Sequence, residues 1–421
     1  MKLELVSPAG SFETLRAALD SGADAVYFGP RQWSLRAGVD DFAGDGFFRA
    51  IDVVHAAGRR AYVTLNAVIG EESLDAALRD IAALKQNPPD AAVISDPGFL
   101  DALAEAGIPA HLSTQANVQN HAAARFWQEH GVRRIVLARE LSIPAIGSIC
   151  ANASLEFEAF VHGAMCISYS GRCLLSDYLA GRGGNKGNCA NTCRWPYALV
   201  EKRGGKTFPI AEENGETYIL NSKDLCALSV LQELVQAGVT AFKIEGRNKG
   251  LHYVAVVTRV YRDALDAILS EGPAFRVRDE WTQALSTVSH REYTTGFYRD
   301  LKYGEGRQNY SAQAYSREWT LVGVIRETLS DTRGVVDIRN DFEINSLVSL
   351  FSPERGIYLD GTRVLRMESI QGTAETGVHT NRVVIMEFEG KVSAGSLVRN
   401  KLTPTPYAVV ATANYNSRHI L

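Results

Sequence analysis

Four of the six cysteines, Cys166, Cys173, Cys189 and Cys193, fall within 28 residues with the spacing C-x6-C-x15-C-x3-C. Thiols gathered this way, in a sequence whose first residues show no basic-then-apolar leader, predict a metal centre rather than a disulfide framework. Two centres use such a set, a tetrahedral zinc site or a 4Fe–4S cluster, each held through deprotonated sulfur. The gap between Cys166 and Cys173 is wider than the short knuckle typical of zinc sites; it favours the larger cluster and leaves zinc as the alternative at the same cysteines. Cys150, ending a helical segment, and Cys226, starting one, read as small buried hydrophobes. The chain carries a net charge of −4, yet between residues 164 and 206 seven Lys and Arg stand against two Asp and Glu, a local +5. Lys186, Arg194, Lys202, Arg203 and Lys206 are therefore candidate RNA-phosphate contacts, and Arg172, Lys186 and Arg194 would offset the negative charge of a thiolate-held cluster.

Other polar residues sit where strands are expected to end. In a strand over 155–162, Glu156, Glu158 and His162 share one face, and His162 reaches the rim beside Cys166. Phe242-Lys243-Ile244-Glu245-Gly246-Arg247 puts Lys243 and Glu245 inside and Arg247 at the mouth. His162, Lys243 and Glu245 are the candidate catalytic groups; a Lys243–Glu245 pair compensating its own charges is the structural alternative. Arg36, Asn66, Gln115, Arg172, Asn221, Lys223, Asp224 and Arg247 are candidate substrate contacts, the cations among them for an anion. Hydrolytic chemistry lacks its usual signs: there is no H-E-x-x-H helix, no G-x-S-x-G elbow, and no lone thiol with a separate base.

These residues need a scaffold. From residue 3 to about 270, apolar runs at 3–7, 25–29, 60–66, 91–95, 110–115, 134–138, 155–162 and 241–246 alternate with helix-period segments such as Phe12–Ser21, Ser73–Lys85 and Ala122–His130. Eight such units predict a (β/α)8 TIM-type barrel over 1–270, with an open doubly wound sheet as the alternative. Gly22, Gly131 and Gly238 follow helical runs where a left-handed cap is wanted. The pattern breaks once, at a Cys-rich insertion over 164–225 after strand seven, on the side where barrel enzymes keep their chemistry. Residues 271–316 read as a linker and 317–402 as a small antiparallel β-barrel, with strands expected at Thr320–Arg326, Gly334–Arg339, Ser346–Phe351, Thr362–Glu368 and Arg382–Phe388. Residues 403–421 form a tail. With 46% hydrophobic residues and no run long enough to span a bilayer, a cytoplasmic protein with no membrane partner is expected. Assembly into a homo- or hetero-oligomer stays open.

The run Glu158-Ala159-Phe160-Val161-His162-Gly163-Ala164-Met165-Cys166-Ile167-Ser168-Tyr169-Ser170-Gly171-Arg172-Cys173 resembles the signature of peptidase family U32, named for collagenase-like proteases. Ser7-Pro8-Ala9-Gly10, Gly22-Ala23-Asp24-Ala25-Val26-Tyr27-Phe28-Gly29, Asn221-Ser222-Lys223-Asp224-Leu225 and the segment from Phe242 to Arg247 extend the likeness over nearly the whole chain. Gly187-Asn188-Cys189-Ala190-Asn191-Thr192-Cys193-Arg194-Trp195 is similar to the branch that forms 5-hydroxyuridine at the tRNA wobble position with prephenate, not dioxygen, as oxygen donor. That resemblance implies a 4Fe–4S cluster on the four cysteines, prephenate as co-substrate, tRNA as partner, and a C-terminal barrel like the second domain of translation elongation factors. A base in duplex or stacked RNA would have to be flipped into the barrel mouth. Sister branches hydroxylate ribosomal RNA or a ubiquinone precursor, and the family name keeps a peptidase as the rival.

Overall fold

The computed structural model describes residues 2–401 apart from 31, 36–41, 43, 167, 195–210, 214–215, 219–221, 300–318, 345–346 and 355–356. Eight parallel strands close into a barrel: Glu4–Pro8, Ala25–Phe28, Arg60–Leu65, Ala91–Ile94, Ala110–Leu112, Val132–Val136, Glu156–Ala164 and Ala241–Ile244, the last pairing with both the first and the seventh. Helices run between the strands. The first, Phe12–Asp20, starts at a capping box in which the Ser11 hydroxyl accepts from the Thr14 amide (3.2 Å) and the Thr14 hydroxyl accepts from the Ser11 amide (3.0 Å), satisfying two donors that the helix leaves unpaired. Gly22, Gly131 and Gly238 take positive φ (91°, 85° and 99°) where the chain turns from helix to strand.

The barrel interior is not uniformly apolar. On its N-terminal side Glu4, Tyr62, Arg134 and Glu158 are buried together: Arg134 donates to Glu4, Glu156 and Glu158, the last at 3.1 Å, and the Tyr62 hydroxyl donates to Glu4 at 2.6 Å. Each charge has an opposite neighbour, the condition under which burying it is tolerable.

Two short strands extend the sheet beyond the barrel. Asp224–Cys226 lies antiparallel against residues 162–164 of strand seven, and Tyr293–Thr294 pairs with Asp224–Leu225. This corrects the linker reading from residue 271 onward. Phe275, Trp281, Leu285, Val288 and Tyr298 are buried in the large barrel's core, and Tyr298 donates to the Phe160 carbonyl. Apolar side chains spaced along the helix Asp279–Ser286 gain by that burial what a solvated linker would lose. Residues 300–318 lie outside the described residues.

The strands Trp319–Thr328, Arg333–Ile338, Leu347–Ser352, Ile357–Ser369, Val383–Phe388 and Leu397–Lys401 form a closed antiparallel barrel with its own core of Val322, Ile325, Val336, Met367, Met386 and neighbours. Its Val324, Phe351 and Leu397 join the core of the large barrel. Arg399 is buried at that junction, donating to Thr287 (3.1 Å) and Ser349 (2.6 Å). No helix among the described residues is long and apolar enough to cross a membrane.

Candidate active site

At the C-terminal ends of the barrel strands a cavity of about 970 Å³ opens between the large barrel, the cysteine loop and the small barrel. Strand three ends into Asn66, strand five into Ser113 and Gln115, strand six into Arg139, strand seven into Met165 and Cys166, and strand eight into Glu245 and Arg247; all line it. This is the end of a β/α barrel where side chains from different strands converge.

The four cysteines of the loop, Cys166, Cys173, Cys189 and Cys193, all line this cavity, and none is in a disulfide. Two of the sulfurs accept backbone hydrogen bonds, Cys173 from the Leu175 amide and Cys189 from the Asn191 amide, each at 3.4 Å. Such donors stabilise thiolate sulfur and tune the clusters it holds. Among the described residues no three His, Cys, Asp or Glu converge closely enough for one metal ion. Four thiol side chains around one space, two of them with amide donors to sulfur, are a donor set that fits a thiolate-held metal centre. Cys150 and Cys226 stand apart, packed against the core; burial pushes the Cys150 thiol up to about 12 and raises that of Cys226 as well.

Cations dominate the rest of the wall. Lys243 projects from strand eight, its ammonium 2.7 Å from Glu158 and 4.3 Å from the centre of the Tyr27 ring. Burial alone would raise the Glu158 carboxyl, but Lys243 and Arg134 outweigh it and hold it at about 2. The alternative of a Lys243–Glu245 pair compensating its own charges is therefore corrected. Lys243 sits opposite Phe160 in the register of strands seven and eight and reaches Glu158, while the Glu245 carboxylate lies 3.9 Å from Arg139. Arg139, which the sequence did not single out, stacks 3.9 Å from the Phe160 ring centre and donates to the Ala164 carbonyl at 3.1 Å. Arg247 is buried, bonded to the hydroxyls of Ser34 and, at 3.1 Å, Thr64. Asn66 donates to Ser113 (3.3 Å) and Gln115 (3.4 Å), so the two amides form one polar patch.

Several other expectations are relocated. His162 is buried behind the cavity wall among Tyr253, Tyr261 and Tyr293, with ring centres 5.9, 5.5 and 5.2 Å away. Strand Asp224–Cys226 covers that end of strand seven and turns His162 from the mouth. Burial, with His290 and Lys249 nearby, lowers its pKa to about 3. Lys223 pairs with Glu292 (2.6 Å) and Asp224 accepts from the Arg291 amide (3.2 Å), so both brace the added strands outside the cavity wall. Arg172 is exposed beside the loop and does not line the cavity. Lys186 is exposed, 3.7 Å from Glu72. Arg36, Asn221, Lys202, Arg203, Lys206 and the side chain of Arg194 lie outside the described residues.

The chain is a closed parallel β/α barrel with a cysteine-lined, cation-rich mouth, and its candidate site is built by strand ends and one inserted loop. The chain belongs to peptidase family U32, whose sequence profile matches residues 10–308. It is 33% identical to tRNA hydroxylation protein P1 of Bacillus subtilis (strain 168) over 356 residues, 84% of each chain. It is 33% identical to tRNA hydroxylation protein P of Escherichia coli (strain K12) over 417 residues, 89% of this chain and 90% of that one. A collagenase of Porphyromonas gingivalis (strain ATCC BAA-308 / W83) is 31% identical over 381 residues, 87% of this chain and 90% of its own.

Proposed function

We propose that this protein is an RNA hydroxylase that forms 5-hydroxyuridine at the tRNA wobble position, takes its oxygen atom from prephenate, and holds a 4Fe–4S cluster on Cys166, Cys173, Cys189 and Cys193. The observation that carries the reading is the shared cavity: four thiols and the cations Arg139, Lys243, Arg247 and Lys249 face one space whose lining includes a single carboxylate, Glu245, among the described residues. Two relatives whose names speak of tRNA hydroxylation, each matched over more than four-fifths of both chains, support RNA as the substrate.

The bound cluster would supply electron transfer or activation of the oxygen donor. The chain's own residues do the binding. A small dianion such as prephenate gains charge-assisted hydrogen bonds from Arg139 and Arg247, whose forked guanidinium groups suit carboxylates. Lys243 is tethered by Glu158, so it meets the ligand at a fixed place and pays little ordering entropy. Tyr27 and Phe160 give apolar wall for the donor's ring. Asn66 and Gln115 carry the amides that a flipped pyrimidine edge can pair with. Glu245, 3.9 Å from Arg139, is the one cavity carboxylate among the described residues placed to accept a proton.

Proteolysis finds less support in the wall. His252, which lines the cavity, is turned to Arg399 at 3.4 Å. Purified protein is expected to leave gelatin and casein uncut. The deciding experiment is nucleoside analysis of tRNA from cells lacking the gene. 5-Hydroxyuridine and its derivatives should disappear, return with the wild-type gene, and stay absent with Cys173→Ser. Purified anaerobic protein should hydroxylate unmodified tRNA only when prephenate is added. An unchanged tRNA profile in the deletion sinks this reading, and loss of a hydroxylated ribosomal nucleoside instead would move it to ribosomal RNA.

A further inference from the structure

The cysteine loop turns a second face to solvent that the cavity does not use. Between Tyr169 and Leu179 four large apolar side chains are exposed: Tyr169 by 58%, Leu174 by 72%, Tyr178 by 87% and Leu179 by 39%. No other stretch of that length among the described residues exposes as many. The short helix Leu175–Ala180 joins this face to the site, since Leu175 and Ser176 line the cavity while Tyr178 and Leu179 face water. The Tyr169 hydroxyl donates to Gln119 (3.1 Å), which fixes that ring in place. Tyr178 has almost its whole ring in solvent, where an aromatic side chain contributes little to the fold.

The charges around these rings favour a polyanion. Arg172 and Lys186 are exposed, and Arg182 at the cavity edge is pinned by two hydrogen bonds to Asn188 (3.1 and 2.9 Å). The carboxylates nearby are Asp177, on the same helix, Glu72, beside Lys186, and Glu140, which accepts from the Ser170 amide (2.6 Å) and hydroxyl (3.0 Å). In sequence the segment 164–206 carries +5 in a chain of −4, with the side chains of Arg194, Lys202, Arg203 and Lys206 outside the described residues. Exposed aromatic rings interleaved with cations are how proteins hold unpaired nucleotides: bases stack on the rings and phosphates meet the cations. A protein partner would be served by the apolar surface alone and would have no use for the excess of positive charge.

We propose that Tyr178, with Tyr169 and Leu174 and flanked by Arg172, Arg182 and Lys186, is a stacking platform for the unpaired nucleotides next to the one that enters the cavity. The inference rests on the hydroxylase reading for the identity of the polyanion. It adds a site outside the cavity that grips single-stranded RNA through base faces and not through sequence.

The test is fluorescence anisotropy of full-length, anaerobically purified protein with an unmodified tRNA anticodon stem-loop at several salt concentrations. Tyr178→Ala should weaken binding about 5- to 100-fold while leaving the salt slope unchanged, and Tyr178→Phe should bind within about two-fold of wild type. Arg172→Gln with Lys186→Gln should flatten the slope by about 0.7 to 0.9 per lost contact. Because Tyr178 is exposed, its variants should melt with the wild type. Equal affinity of Tyr178→Ala and wild type at every salt concentration overturns the platform while the hydroxylase reading stands. A change of oligomeric state in Tyr178→Ala with RNA affinity intact assigns the patch to a protein contact and also overturns it. Failure of wild type to bind any RNA brings down the hydroxylase reading and the platform together.

Discussion

Glu158 shows how much of the site depends on one side chain. It is buried between Lys243 and Arg134, and those two cations hold its carboxyl at about 2 against the upward push of burial. Its stabilising contribution is therefore complete above its ordinary value of 4.5 and lost as pH falls toward 2. Glu158→Gln leaves buried Lys243 without its carboxylate, while Arg134 keeps Glu4 and Glu156, and we expect it to cost about 3–5 kcal/mol in urea denaturation. Glu158→Leu with Lys243→Met should recover much of that stability and still lack activity. Equal stability of the single and double variants would contradict the pairing. The sequence pointed to Lys243 and Arg247 because alternation along a strand tells inside from outside. It offered only Glu245 as a charge partner for Lys243, as an alternative, because the real partner is set by register with strand seven, which no local pattern states. Arg139 was missed for a related reason: it follows strand six in an aperiodic turn, and only the closed barrel brings it over Phe160.

Among the elements, strand seven has the most demanding geometry. Gly163 has φ of 110°, and a Cβ there would stand 2.3 Å from the Glu245 carbonyl oxygen, so this glycine lets strand eight pass at the mouth. Gly163→Ala should destabilise the protein by about 1–3 kcal/mol, read as a lowered melting temperature, and should displace Glu245 enough to cut hydroxylation more than the stability loss alone explains. A variant that melts and turns over like wild type would show that the close approach is not needed. The eight barrel strands were legible because each is an apolar run followed by a helical period. The strands Asp224–Cys226 and Tyr293–Thr294 were not, since two or three residues carry no period and they pair across a long stretch of sequence. Missing them put His162 at the mouth and Asp224 in the pocket. Strand five ends early, at Leu112, and Gln115 lies in the tight turn that follows, yet it still reaches the cavity.

At the scale of the molecule, two barrels share a buried junction and the site lies beside it. Composition change along the chain revealed both barrels, but not that Arg399, Val324 and Phe351 of the second would pack into the first, because no linear pattern specifies which surfaces meet. Two buried histidines and a half-buried one are distributed through this whole: His111 against Tyr62 in the charged layer, His162 behind the cavity, and half-buried His252 beside Arg399 in the cavity wall. Burial first, then neighbouring cations, lowers each pKa, to about 3 for His162 and His252 and well below 6.5 for His111. The folded protein keeps these rings neutral while the unfolded chain protonates below about 6.5, so stability is full above that value and declines as pH falls. The slope reaches up to about 1.4 kcal/mol per pH unit for each ring. Urea denaturation at pH 5 should show a clearly lower stability than at pH 7.5, and equal values would mean that the rings are hydrated. The central claim, that the loop cysteines form one iron–sulfur centre in the barrel mouth, is tested most directly by iron and acid-labile sulfide analysis of anaerobically purified protein. About four irons and four sulfides per chain are expected, lost when Cys166, Cys173, Cys189 or Cys193 is changed to Ser and retained in Cys150→Ser and Cys226→Ser; a wild-type protein holding one zinc and no iron would contradict such a centre.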